Sequence, residues 1–575
     1  MSAIPSEPRP DVDVVVIGGG VNGTGVARDC ALRGLRVALL ERNDLGFGAS
    51  GNSSGMIHGG PRYLTYDPSV TQSSCEDSGH IQRIAPHLLF RIPFLYTVHR
   101  SRLPTRVSLA LFDAFFDLYD RYQPLKRGKP HVRLTPADLR GLEPGLAGDV
   151  VGGVSFDEWG IDGVRLCVGN AVDARGRGAD VRVHTTVTAV LRGPRGEATG
   201  VRYRDRITGQ TGELRARAVV NATGAWAPIT ATLGGLAARQ ARIRPGKGIH
   251  VYYPQRLSNY AITARAIDGR QVFLMPWQNT TVIGTTDDDY YGDLDDVVAT
   301  TDEARYLVQA VARVFPSITA ARPIGTWGGV RPTLYAWGVN EDRLSREHAI
   351  VDHAADGAPG LFSMTGGKLA SYRMFAQEMT DLLGARLGVT SACRTHTSPL
   401  PGGEARADPL ALAASSGLDP IVVARLAYRH GARAAQVVER VRKDRREAAV
   451  VCECEPVIEA EIRWACAEEG ARTADDVSRR TRLGSGACGG MRCAARCGRI
   501  VAEETGRTPA EGVLMAVELL EGAARRRLAV VGPQQARMEA LALASVRAEL
   551  GIKRLDEPGD ERSVLEAVGL GGGPP

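Results

Sequence analysis

Two groups of residues in this 575-residue chain have the types and spacing to do chemistry. The first is Gly18-Gly-Gly20-Val-Asn-Gly23 with Glu41 downstream. Glycines so placed allow a tight turn at Gly18, a close approach of backbone to a pyrophosphate at Gly20, and close helix–strand packing at Gly23. A helix opening there presents unpaired N–H groups and partial positive charge to phosphates, and an acid at Glu41 can accept from ribose hydroxyls. The pattern reads as a dinucleotide site, and Glu41 would repel an adenosine 2′-phosphate. The second group is Cys452-x-Cys454 with Cys488-x4-Cys493, four of the ten cysteines. Four thiolates can hold a soft metal. Zinc is one candidate, although its structural sites use pairs separated by roughly two to four residues and Cys-x-Cys is unusual there.

A β-α-β unit over Asp11 to Glu41 must position the first group: Asp13 to Ile17 predicts a buried strand, Thr24 to Arg33 a helix, and Val37 to Leu40 a second strand. Ala218 to Trp226 reads as another strand running into a glycine turn, making Ala222, Thr223 and Gly224 cofactor candidates. Thr365-Gly366-Gly367-Lys368 is a further glycine turn opening a helix, suited to a flavin. These two segments favour FAD over NAD. The Gly- and Ser-rich stretch Gly48 to Leu64 suits a loop wrapping phosphates and flavin, with Ser50, Ser53 and Ser54 as contacts. Ile458 to Glu468 and Thr473 to Arg482 read as helices that bring the two cysteine pairs together.

The length implies two or three domains. With 71 basic and 65 acidic residues the net charge is +6, and no basic block carries interleaved aromatics, which argues against a nucleic-acid protein. The N-terminus lacks a signal-peptide pattern, and no run reaches the ~18 to 20 apolar residues of a membrane span. A cytoplasmic protein is expected, where thiols stay reduced and a cysteine cluster suggests a metal before a disulfide. Val107 to Tyr119 predicts an amphipathic helix, read as core, with a membrane-surface or partner face as the alternative. The expected division is a disordered 1–10, interleaved nucleotide and substrate domains over 11–385, a linker at 386–409, a helical segment at 410–448, a cysteine domain at 449–500, a helical region at 501–560 and a disordered tail at 561–575.

The glycine motif and the segments Gly48 to Leu64, Ala218 to Trp226 and Thr365 to Arg373 together resemble the FAD-dependent glycerol-3-phosphate dehydrogenases, within the wider glycine oxidase and D-amino-acid oxidase fold group. The resemblance implies an α/β fold: a Rossmann-type FAD-binding domain interleaved with an α+β substrate domain, plus C-terminal helical and small [2Fe-2S] domains. It implies that Arg62 and Tyr63 face a substrate phosphate, although Pro61 before them is a less usual residue. Arg331 and Lys368 would bind phosphate or polarise the reacting oxygen, with Arg346 in support, and His250 occupies a pocket position where a base could act. An arginine or a bound water remains an alternative base. Trp277 and Ile283-Gly-Thr-Thr-Asp287 form a strand-turn pattern whose threonines resemble the family's pocket wall, and Asp162 with Arg165 is expected to form an ion pair.

The cysteine spacing resembles modules similar to bacterioferritin-associated ferredoxin and the anaerobic-type catalytic chain of the family, which implies a [2Fe-2S] cluster on Cys452, Cys454, Cys488 and Cys493. The implied reaction oxidises glycerol 3-phosphate to dihydroxyacetone phosphate, with electrons passing toward the quinone pool through a membrane-anchoring iron–sulfur protein. Such a protein would be cytoplasmic or peripheral on the inner face of the plasma membrane, and a homo-oligomer is compatible. The rival readings are an amino-acid or 2-hydroxy-acid dehydrogenase of the same fold, and a non-catalytic flavin and iron–sulfur electron carrier.

Overall fold

The computed structural model describes residues 10–65, 67–100, 104–237, 242–339, 344 and 347–549. The N-terminal residues 1–9 and the tail from 550 onward lie outside the described residues.

Strand β1 (Val12–Ile17), helix α1 (Val21–Leu32) and strand β2 (Val37–Leu40) form the expected β-α-β unit. The helix starts at Val21, three residues before the sequence expectation, because the glycine turn itself closes its first turn. β1 is the centre of an eight-stranded sheet, pairing in parallel with β2 on one side and with Thr211–Asn221 on the other. Leu361–Gly366 adds a further parallel strand beyond Thr211–Asn221. Strands buried on both faces read as continuous apolar runs, and Val14, Val15 and Val16 are fully buried.

A nine-stranded sheet is built from chain segments that alternate with those of the first. Its strands include Leu89–His99, Val150–Ile161, Ile243–Tyr253, Gln271–Trp277, Thr280–Gly284 and Gly325–Leu334. The two sheets are thus interleaved in sequence, as expected.

After the helix Tyr372–Leu387, residues 388–408 carry neither helix nor strand. Three helices, Pro409–Ser416, Pro420–His430 and Ala434–Lys443, share a core with Ile458 and Trp464. The hairpin Val450–Cys452/Val457–Ile458 and the helices Glu459–Glu469, Ala474–Thr481 and Ala494–Glu504 follow. Their core is completed by Met515, Leu519 and Leu520 of the helix Pro509–Arg527, beyond the boundary expected at 500.

Buried ion pairs seat this C-terminal part on the rest. Arg165 reaches Glu469 at 2.6 Å, Arg480 reaches Asp44 at 2.5 Å, and His184 meets Asp476 at 2.9 Å. The first corrects an expectation: Asp162 does not pair with the Arg165 guanidinium. Asp162 caps the helix Gly163–Gly176 by accepting the Arg165 backbone N–H at 3.0 Å, and the side chain crosses to Glu469 instead. A helix-capping acid satisfies an orphan N–H, which leaves the guanidinium to find its own partner.

Among the described residues no helix is long and apolar enough to cross a membrane. The Val107–Tyr119 segment lies in the helix Thr105–Asp120. Phe116 and Tyr119 face the interior, while Val107, Leu111 and Leu118 are 46%, 60% and 40% exposed, so only one face is core.

Candidate active site

A cavity of ≈ 1590 Å³ is lined from both sheets. At one end lies the glycine turn. Gly18 has φ +107°, and a Cβ there would come 2.8 Å from the Ala222 carbonyl oxygen. A Cβ on Gly23 would lie 2.0 Å from the Gly18 carbonyl oxygen, so Gly23 serves packing and does not itself line the cavity. Gly20 is different. A Cβ there would meet only the Ser50 Oγ, at 3.4 Å, and would otherwise project into the open cradle.

Ser50 Oγ accepts the Val21 N–H at 2.9 Å, fixing the loop over the start of α1. Glu41 accepts from the Gly19 and Asn43 N–H groups at 2.6 and 2.7 Å, and burial raises its carboxyl despite both bonds. Ser53, Ser54, Ala222, Thr223, Gly224, Gly366 and Gly367 all reach the cavity surface. Sequence reasoning missed the Asp295 contact beyond them: Asp295 accepts from Trp226 Nε1 at 2.9 Å and pairs with Arg42. Nothing local in the sequence marks that link.

The same cavity carries cations. Arg331 donates through Nη1 to Asp287 Oδ1 at 2.9 Å and through Nη2 to Thr285 Oγ1 at 2.8 Å. Its guanidinium lies over Gly248, where a Cβ would come 2.3 Å from it. The Thr-Thr-Asp287 segment therefore aims the arginine as well as lining the wall. Lys368 Nζ donates to Ser74 Oγ at 3.0 Å and stands 4.3 Å from the Tyr63 ring centroid. Arg62 belongs to the short turn Pro61–Thr65. Its side chain, and the whole of Arg346, lie outside the described residues.

His250 is buried, its Nε2 sharing a 2.8 Å hydrogen bond with Ser54 Oγ and its ring stacked on Trp327 at 4.9 Å. Burial first, and the Arg331 charge second, push its pKa down to about 3, so the imidazole is neutral. Phe94, Phe112 and Phe156 supply an apolar side to the cavity. The inner face of the Thr105–Asp120 helix thus forms part of the site wall. Trp277, by contrast, stands behind the wall: its Nε1 would lie 3.5 Å from a Cβ on Gly55.

The four cysteines do come together, and they do so as two pairs. Cys454 Sγ and Cys488 Sγ are 3.9 Å apart and lie toward the surface. Cys452 and Cys493 are buried, and the Cys493 thiol donates to the Gly490 carbonyl oxygen at 3.6 Å. The neighbouring Cys493 thiol pulls Cys452 down to about 6, and Cys452 in turn raises Cys493. No three of these four sulfurs lie within 4.8 Å of one another.

A glycine cradle opening a helix, with a buried histidine and two anchored cations lining the same cavity, fits a flavin-dependent oxidoreductase. Known proteins agree. The family described as FAD dependent oxidoreductase matches residues 13–382, and the C-terminal domain of alpha-glycerophosphate oxidase matches residues 393–511. An anaerobic glycerol-3-phosphate dehydrogenase chain of Escherichia coli is 31% identical over 504 residues, covering 87% of this chain and 90% of that protein. Its namesake from Haloferax volcanii is 33% identical over 509 residues, covering 85% and 83%. The crystal structure of glycerol-3-phosphate dehydrogenase from Bacillus halodurans with FAD matches with a TM-score of 0.72 at 25% identity, covering 92% and 97%. The chain belongs to the FAD-dependent glycerol-3-phosphate dehydrogenase family.

Proposed function

We propose that the protein oxidises sn-glycerol 3-phosphate to dihydroxyacetone phosphate and passes the electrons through a [2Fe-2S] cluster toward the quinone pool. The observation that supports the substrate reading is that Arg331 and Lys368 both line the cavity that the Gly18 turn also lines. Gly18, Gly20, Glu41, the serines of the 50–54 loop and Gly366–Gly367 would hold FAD, which when bound would supply the acceptor for the hydride of the carbinol carbon. Arg331, with Arg62, Tyr63 and Lys368, holds the phosphate; charge-assisted and forked contacts suit that group.

His250 takes the hydroxyl proton. Burial and the Arg331 charge both oppose its protonation and make it a weak base on their own. A phosphate dianion beside Arg331 cancels part of that opposition and raises His250 toward a useful value. The base is thereby strengthened only when substrate is present. Ser54, already hydrogen-bonded to Nε2, keeps the ring oriented.

The cysteine pairing supports iron–sulfur over zinc. A tetrahedral zinc with bonds of about 2.3 Å needs all four sulfurs roughly 3.8 Å apart. Two separate pairs instead suit a cluster with one pair on each iron, and such a cluster supplies a one-electron acceptor. The acceptor beyond it is proposed as a quinone-linked carrier, with the protein peripheral at the inner face of the plasma membrane.

Dye-linked turnover separates the substrate classes. Glycerol 3-phosphate should be oxidised, whereas glycerate, lactate and amino acids at the same concentration should not. Preference for a carboxylate would replace the phosphate reading with the 2-hydroxy-acid or amino-acid reading.

A further inference from the structure

We propose that Trp277 and Arg482 form the bridge that carries single electrons from the flavin cavity to the cysteine pairs. This rests on the reading of those pairs as a [2Fe-2S] site.

On the cavity side, Trp277 packs against Gly55, between Ser54 and Met56, which line the cavity. Its ring is 6.4 Å from that of Trp327, which stacks on His250. On the cysteine side, the Arg482 guanidinium sits 4.4 Å from the Trp277 ring centroid and donates to Glu455 at 3.0 Å, the residue after Cys454. Arg482 ends the helix Ala474–Thr481 with φ +66° and leads into the turn whose Gly484 N–H donates to Cys452. Gly486 of the same turn lies so close to Cys454 that a Cβ would fall 2.3 Å from the cysteine's own.

A partly buried guanidinium stacked on indole is a stable contact, and it joins two parts of the chain that ion pairs already clamp. Gln278, next to Trp277, is held by Arg425 at 3.2 Å and by Tyr428 at 3.3 Å. The joint is thus pinned on both flanks. Electron transfer weakens steeply across gaps, and here an indole, a guanidinium and a carboxylate follow one another from Gly55 to the residue after Cys454.

Oxidation of one glycerol 3-phosphate leaves two electrons on the reduced flavin. With FAD and the cluster bound, each crossing would carry one of them to a ferric iron, and the proton on the flavin would leave to solvent. Two crossings, each followed by delivery of the electron to an external quinone-linked carrier, restore the oxidised protein.

The test uses holoenzyme, as Trp277→Leu and Arg482→Met, mixed anaerobically with excess glycerol 3-phosphate in a stopped-flow instrument. Iron and FAD contents should match the parent protein, and flavin bleaching should keep its rate. Bleaching of the cluster's visible bands should slow by about tenfold or more. In protein stripped of FAD and iron, Arg482→Met should also expose tryptophan emission to quenching by acrylamide. Unchanged cluster reduction in iron-loaded variants overturns the bridge and leaves the relay standing. Parent protein that binds no iron when prepared anaerobically overturns the relay, and the bridge with it. If Arg482→Met assembles no cluster, Trp277→Leu decides, because it lies across the contact from the cysteine turn.

Discussion

Arg331 is held in a fork by Asp287 and Thr285, so its truncation removes a pre-aimed charge. Arg331→Ala should lower kcat/KM by about 10- to 150-fold, the equivalent of roughly 1.5 to 3 kcal/mol, with FAD retained. Parent kinetics in that variant would reject the phosphate assignment. His250 gives a pH prediction. Its value near 3 in the free enzyme means that the kcat/KM profile should show no limb near 6.5. The sign for stability follows: a histidine held neutral contributes fully above 6.5, and that contribution falls as pH drops from 6.5 toward 3. A limb near 6.5 that vanishes in His250→Asn would contradict the burial argument. At the glycine turn the two positions should separate. Gly20→Val places its side chain in the cradle, so the variant should fold but be purified without FAD. Gly23→Ala drives a methyl into the Gly18 carbonyl and should cost stability itself. The glycines and Glu41 were legible because a dinucleotide turn is written in consecutive residues. The partners of Arg331, Lys368 and His250 are separated from them by long stretches of chain, and no local spacing encodes them.

The elements that seat the C-terminal part depend on buried charge. Glu469 would be raised by burial alone, but Arg165 and His430 together outweigh that and hold it well below the usual carboxylate range. Such a carboxylate contributes stability above its unfolded value of 4.5 and loses it as pH falls below. Acid should therefore loosen this seat below about pH 4.5, with limited proteolysis cutting near residues 388–408 before the sheets unfold. Arg165→Met leaves Glu469 buried without its cation and should destabilise by about 3 to 5 kcal/mol, read as a lower denaturation midpoint. No change in midpoint would show that the pair is not structural. The β-α-β unit was readable from apolar periodicity. The role of Arg165 was not, because a neighbouring Asp162 offered a shorter pairing in sequence than the one the fold uses. The Val107–Tyr119 helix was half legible: its amphipathicity marked a buried face, but not that this face would wall a cavity.

At the scale of the whole molecule, two centres share one chain: a cavity between interleaved sheets, and a pair of cysteine pairs set against its outer wall through Trp277 and Arg482. Cys488→Ser should therefore separate the half-reactions. Flavin reduction by glycerol 3-phosphate and dye-linked turnover should persist, while quinone-linked turnover collapses. Equal loss of both, with the fold intact, would mean that the cysteine part also shapes the cavity. The interleaved architecture was visible from the glycine turns at 18, 224 and 366, which return the chain to one sheet three times. The docking of the two centres was not, since it depends on contacts between residues far apart in the chain. The most direct measurement is the visible spectrum of purified holoprotein before and after anaerobic addition of glycerol 3-phosphate. The predicted result is loss of the flavin bands on addition, followed by loss of the cluster's bands. A flavin spectrum unchanged by glycerol 3-phosphate would contradict it.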